Sequence, residues 1–266
     1  MPLLTFASPK GGVGKTTLAA NVASELSRAG CRVMALDLDP QNALRLHFGL
    51  PLRERAGFTH ILPQRPDWRS CVRETPAGIP LLAYGAAGMH ETIALDAAVT
   101  ADPDLLLQPL RDILATPEIW LVADTAPGPS PLLEALLRCT DLLVTVLLTD
   151  AASVSLIPSL ERGGMLADEW AAQAGVPSRF VLNQFDPRTR LGGVILDAAR
   201  QHLGDRLLGV VYRDEHVAES IAAQKLLADY ASASKATHDI AAIARGVLAL
   251  MRSAGQDGPE TEAARA

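Results

Sequence analysis

The stretch Lys10-Gly11-Gly12-Val13-Gly14-Lys15-Thr16-Thr17 crowds two lysines, three glycines and two threonines into eight positions. Glycines let a backbone curl so that successive N–H groups point at phosphate oxygens, and a helix starting there adds its positive dipole end. Lys15 would then meet the β and γ phosphates as a compact charge, and the Thr16 hydroxyl would ligate Mg²⁺. The common phosphate-loop spacing is missed at one place: Pro9 stands where its first glycine belongs, and Lys10 follows.

Carboxylates supply the second layer of chemistry. Asp37 and Asp39 lie two residues apart in Leu36-Asp37-Leu38-Asp39-Pro40-Gln41-Asn42, so on an extended chain they point the same way. Asp124 closes the apolar run Ile119 to Ala123 and precedes Thr125-Ala126-Pro127-Gly128. An acid at the end of a buried strand is costly without a cation or hydrogen bonds, and Mg²⁺ held through water would answer that. A helix cap is the alternative for Asp124, and a solvated strand end is the alternative for the Asp37/Asp39 pair. Asn183 follows Phe180-Val181-Leu182; its amide donates and accepts at once, which suits a base edge or equally a turn.

These residues need a scaffold that brings strand ends together. Apolar runs at Leu3–Ala7, Arg32–Asp37, Ile79–Tyr84, Ile119–Asp124, Leu142–Leu148, Phe180–Asn183 and Leu207–Val211 read as strands. Helical periodicity falls between most of them, over 16–29, 91–115 (as one helix or two), 129–138, 151–161, 192–203 and 233–252. The alternation predicts a three-layer, doubly wound α/β fold with a mostly parallel sheet and ligand-binding turns at the strands' carboxyl ends. Residues 1–252 are expected to form one domain, with 49–78 an irregular excursion containing several prolines and 253–266 a disordered tail.

Composition narrows the class. The chain has 266 residues, 48% hydrophobic and 20% charged, enough for a full core. Its net charge of −6 is uneven, because 91–178 carries three cations and thirteen anions. No basic block makes nucleic acid the default partner. No apolar run reaches the roughly 18 residues of a membrane span, and no basic leader precedes the first strand, so a cytoplasmic protein is expected. Cys31, Cys71 and Cys139 have neither disulfide-frame nor metal spacing. A small apolar role is expected for Cys139.

With Lys10 and Lys15 placed, the loop resembles the deviant phosphate loop of the ParA/MinD class of P-loop ATPases, K-G-G-x-x-K-[ST]. The resemblance covers about residues 3–250 and implies ATP and Mg²⁺ as ligands. It implies that Lys10 reaches across a nucleotide-sandwich homodimer to the partner's ATP, much as an arginine finger stabilises developing charge. Gly11, Gly12, Val13, Gly14, Lys15, Thr16 and Thr17 would cradle the phosphates. The match to D-x-D-P-Q implies that Asp39 orients the attacking water and that Asp37 lies near Mg²⁺. Asp124 and Gly128 match the D-x-x-P-[GP] switch, with Gly128 sensing the γ-phosphate. Asn183, with Tyr212 and Asp214 opposite, would wall the adenine pocket. Hydrolysis in this class is slow.

Two stretches, Asp39 to Gly49 and Val211 to Ser220 with Asp229-Tyr230-Ala231, resemble the BcsQ family of ParA-like ATPases encoded with bacterial cellulose synthase. That resemblance implies a switch that recruits or regulates the cellulose synthase complex through its cytosolic components. A partition ATPase using Arg188 and Arg190 on DNA is the alternative, and a ligase of the same fold a weaker third. The last helix carries Ile240, Ile243, Val247, Leu248 and Met251, which reads as core packing, not membrane anchoring.

Overall fold

The computed structural model describes residues 2–65, 67–153, 155–156 and 175–256. Seven strands form one sheet in the order β3-β2-β4-β1-β5-β6-β7, with every pairing parallel. They are β1 (Leu3–Ala7), β2 (Arg32–Leu38), β3 (Leu81–Leu82), β4 (Ile119–Thr125), β5 (Leu142–Leu148), β6 (Ser178–Phe185) and β7 (Leu207–Tyr212). All five residues of β1 are buried, as expected for a central parallel strand covered on both faces. The chain order reverses at β1, which lies between β4 and β5, and opens a crevice at its carboxyl end.

Helices cover both faces. On one side lie α1 (Lys15–Arg28) and α9 (Lys235–Gln256), whose Leu18, Val22, Ile240 and Ile243 join Leu4, Phe6, Val144 and Val181 in one cluster. On the other lie α3 (Met89–Ala101), α4 (Asp104–Leu114) and α5 (Pro131–Leu137), where Leu95, Leu106 and Leu136 pack on Leu36 and Leu121. Further along that face α6 (Arg190–Leu203) seats Leu196, Ala199 and Leu203 on Phe180 and Leu182. Three short helices lie elsewhere: α2 (Leu44–His47), α7 (Glu215–Ala222) and α8 (Leu227–Tyr230); residues 151–153 and 155–156 are helical as well.

Several expectations shift. The 91–115 stretch is two helices, separated at Asp102-Pro103. Of Ile79–Tyr84 only Leu81–Leu82 pairs as strand, because the Phe58 and Thr59 N–H groups take the Ala83 and Tyr84 carbonyls. The strand expected at Phe180–Asn183 runs on to Phe185, since β7 pairs with it as far as Tyr212. The 49–78 excursion is more regular than expected, with 3₁₀ turns at Leu62–Gln64 and Trp68–Cys71. It is anchored by Phe58, which stacks on Trp68 at 5.2 Å and meets the Tyr84 ring edge-on at 5.5 Å. Residues 253–256, expected in the tail, extend α9; 257–266 and most of the helix expected over 151–161 lie outside the described residues.

Candidate functional site

The phosphate loop leaves β1 and enters α1 through Gly14, which caps the helix in the left-handed region at φ 85°. Gly12 is also left-handed, at φ 74°. A side chain at Gly14 would have to displace the Asn183 amide, since a Cβ there would lie 2.3 Å from its Nδ2. Asn183, near the end of β6, donates that N–H to the Val13 carbonyl at 2.7 Å, tying the loop to the far half of the sheet. The Ser8 hydroxyl donates to the Lys10 carbonyl, and the Ser8 carbonyl accepts the Gly128 N–H at 2.7 Å. The sequence thus brings Gly128 to the loop, itself left-handed at φ 77°.

The two lysines of the loop meet different surroundings. Lys15 is 5% exposed; its Nζ lies 2.6 Å from Asp124 Oδ1 and 3.9 Å from Asp39 Oδ2. Lys10 is 41% exposed, and its Nζ bonds Asp150 Oδ2 at 2.7 Å, just beyond β5. Burial alone would raise the Asp150 carboxyl, but hydrogen bonds from Lys10 and Ser153 hold it below its usual value. In the sequence Asp150 reads only as a boundary of the apolar run Leu142–Leu148 and not as a site residue, although an acid just after a buried strand is the signal that singled out Asp124.

Register explains the acid cluster. Asp37 in β2 is the direct partner of Asp124 in β4, and Phe6 of β1 pairs with Asp124 from the other side. Both carboxylates are fully buried. Burial, reinforced by the Asp124 and Asp39 charges, pushes the Asp37 carboxyl well up, although the Asp39 and Leu44 N–H groups oppose it. Those N–H groups bond Asp37 Oδ1 at 3.0 Å and Oδ2 at 3.1 Å, so Asp37 also pins the turn that carries Asp39. Burial likewise raises the Asp124 carboxyl against the pull of Lys15 and the nearby Thr16 hydroxyl. Asp124 Oδ2 has no well-formed hydrogen bond.

These observations fit a divalent cation. With Asp37, Asp39 and Asp124 ionised, Lys15 leaves two negative charges uncompensated, and an orphaned carboxylate oxygen stands beside Thr16. No cluster of three His, Cys, Asp or Glu ligands is pre-formed among the described residues. Mg²⁺ sites that rely on one or two protein groups plus phosphate and water do not need one.

Beside the loop opens a cavity of about 560 Å³, within the range of small-molecule sites. Gly14, Thr17, Asn183, Tyr212 and Asp214 all line it, as does Ile240 from α9. Tyr212 is held edge-on to Phe185 at 5.1 Å, with the Lys235 ammonium 4.6 Å from its ring centroid. Asp214 caps α7, accepting from the His216 N–H and ring and from the Ala236 N–H. Its role here is to fix the loop. Arg188, a candidate DNA contact, has its guanidinium on Asp186 at 2.8 and 2.9 Å.

Residues 1–248 match the cellulose biosynthesis protein BcsQ family. The chain belongs to that family. It is 25% identical over 256 residues to the cellulose biosynthesis protein BcsQ of Salmonella typhimurium, covering 93% of this chain and 94% of that protein. It is 31% identical over 262 residues to the chromosome-partitioning ATPase Soj of Thermus thermophilus, covering 94% and 97%. The fold is similar to that of the septum site-determining protein MinD from Pyrococcus horikoshii complexed with Mg-ADP. The TM-score there is 0.74 at 21% identity, covering 92% of this chain and 95% of that one. The protein is therefore a P-loop ATPase of the ParA/MinD class, close to BcsQ.

Proposed function

We propose that the chain is an ATP-dependent switch whose two copies close over two nucleotides, and that this dimer assists the assembly, placement or regulation of the cellulose synthase complex. The opposed surroundings of Lys10 and Lys15 carry the dimer reading. A buried lysine on Asp124 serves its own site, while Lys10, held at the mouth of the same loop only by a solvent-exposed ion pair to Asp150, can exchange that partner for another copy's nucleotide. Bound ATP–Mg²⁺ would supply the scissile phosphoanhydride and the metal's charge neutralisation.

The chain's own groups have separable tasks in this reading. Gly11 to Thr17 offer backbone N–H groups to the phosphates, and Lys15 adds its ammonium. Thr16 and Asp124 hold the cation, with Asp37 behind them. Asp39, on the turn that Asp37 pins, orients the attacking water. Gly128 follows the phosphate loop through its bond to Ser8. Asn183, Tyr212 and Asp214 bound the base cavity. Turnover is slow, residues 1–252 act as one unit, and the protein works in the cytoplasm, reaching the membrane through partners. Among the described residues no helix is long and apolar enough to cross a bilayer.

Membership of the BcsQ family supports the cellulose pathway. The 31% identity to Soj favours the second reading, a partition ATPase that coats DNA. In light scattering, Lys10→Ala should bind ATP yet fail to dimerise with it; an unchanged ATP-dependent dimer would refute the crossing lysine. DNA binding that weakens steeply with salt, together with normal cellulose output on gene deletion, would shift the assignment to partition.

A further inference from the structure

Tyr212 and Asp214 line the base cavity, and both are held from behind by the first turns of α9. β7 ends the sheet among the described residues, so N–H groups on its outer side have no ladder partner. Asp239 takes the one at Tyr212, with Oδ2 3.1 Å from the nitrogen. The next N–H, of Arg213, turns inward to the Phe185 carbonyl. Asp239 Oδ1 accepts from the Lys235 ammonium at 2.5 Å, one turn earlier on the helix. That ammonium lies 4.6 Å from the centroid of the Tyr212 ring, which Phe185 meets edge-on. Asp214 joins the set by accepting the Ala236 N–H at 3.1 Å.

Asp239 is only 9% exposed, and a carboxylate so placed is costly unless both oxygens are satisfied, as they are here. Lys235 is 58% exposed, with room for its stem to swing into solvent. The bond to Asp239 keeps the ammonium at the ring and raises its pKa above the usual lysine value. The helix behind them is seated closely on β7. A Cβ at Gly209 of β7 would lie 2.6 Å from Ile243 Cγ1, and one at Gly246 of α9 would lie 2.9 Å from Leu208 Cδ1. Packing that tight leaves α9 little room to slide, so the clamp on Tyr212 has a firm base.

We infer that Lys235 and Asp239 are positioning residues for nucleotide binding, which set the Tyr212 ring and backbone as the wall against which the base lies. The inference rests on the reading that this cavity takes the base. Neither residue lines the cavity, so both act through Tyr212. Their bonds go to Tyr212 and to each other, not to the phosphate loop, so their influence falls on the base end of the ligand. Without the ammonium, the ring is free on one side and Asp239 Oδ1 loses its partner, which draws the carboxylate toward water and off the Tyr212 N–H.

Calorimetric titration of the full chain with Mg-ATP, and with Mg-tripolyphosphate, which carries phosphates but no base, tests this. Lys235→Met should weaken ATP about fivefold and leave tripolyphosphate within about twofold. Lys235→Arg should recover most of the loss, because a guanidinium also binds a carboxylate and an aromatic face. Asp239→Asn keeps an acceptor for the Tyr212 N–H but drops the charge that holds Lys235. It should match Lys235→Met, and the double variant should be no worse than either alone. Unchanged ATP affinity in Lys235→Met, an equal loss for both ligands, no recovery in Lys235→Arg, or additive losses would overturn the inference. Tyr212→Ala separates that failure from failure of the base-cavity reading: it should weaken ATP and spare tripolyphosphate whatever the Lys235 variants do. If it spares both, the cavity does not take the base and the inference falls with that reading.

Discussion

Lys15 holds together a cluster that would otherwise repel itself, so replacing it should damage the empty protein as well as nucleotide binding. Asp124 is wholly buried, bonds Lys15 at 2.6 Å and faces Asp37 across the β2–β4 pairing. Lys15→Gln keeps a polar side chain but removes the charge. Stripping one member from a buried ion pair costs about 3–5 kcal/mol, a large share of the 5–15 kcal/mol typical of a domain. The carboxylates can escape part of that cost by taking up protons, and burial already raises Asp37 and Asp124. A carboxyl raised further in the folded variant binds more protons folded than unfolded, so the variant's deficit grows as pH rises and shrinks as it falls. Each proton taken up recovers at most about 1.4 kcal/mol per pH unit. Urea denaturation without nucleotide, followed by circular dichroism at about pH 8 and about pH 5.5, reads the difference directly. A variant as stable as wild type at the higher pH, or a deficit identical at both, would refute this account of the cluster.

Gly14→Ala should cost about 1–3 kcal/mol of stability from the left-handed backbone and the displaced Asn183 amide, and weaken ATP more than tenfold. Calorimetric titration with wild-type affinity would disprove that packing. Buried His47 has its pKa lowered from 6.5 to about 4 by desolvation. A base whose folded pKa is depressed gains stability above its unfolded pKa, so between about pH 6.5 and 4 the fold should lose about 3 kcal/mol on this account. His47→Leu should flatten that slope in chemical denaturation, and an unaltered slope would exclude His47 as its source. His216 is raised above 6.5 by the Asp214 carboxylate; NMR titration should find its pKa lowered in Asp214→Asn, and no change would show that the pair is not formed in solution.

The parts of this fold that were legible in the sequence are those fixed by burial on both faces. Central strands β1, β4 and β5 read as apolar runs broken only by Thr5 and Thr145, and polar residues at or just past their ends belong to the site. Edge elements lacked that signal. Residues 79–84 look like strand, but beyond β2 their outer edge meets only the excursion, where Leu81 bridges Arg73 and the Ala83 and Tyr84 carbonyls accept from Phe58 and Thr59. Helices α2, α7 and α8 span one or two turns, too short for periodicity to register, and α7 is announced only by its cap Asp214. Within the site, residue types were readable and pairings were not. Lys10 and Asp150 are 140 positions apart and meet because β1 and β5 are neighbours. Nor does the local spacing of Asp37 reveal that both its oxygens hold backbone.

The Asn183–Val13 hydrogen bond has a further consequence, for recognition. Because the Val13 carbonyl can only accept, the amide cannot flip: its nitrogen end is fixed toward the phosphate loop. Its carbonyl end, with no partner among the described residues, is fixed by the same bond. The polarity shown to a ligand is therefore written by the loop before any ligand arrives. A ring bearing an amino group opposite that oxygen gains a bond, while one bearing a carbonyl there meets another lone pair. Accepting the second would mean turning the amide and releasing the loop that grips the phosphates, so a mismatch at the base would be felt at the other end of the nucleotide.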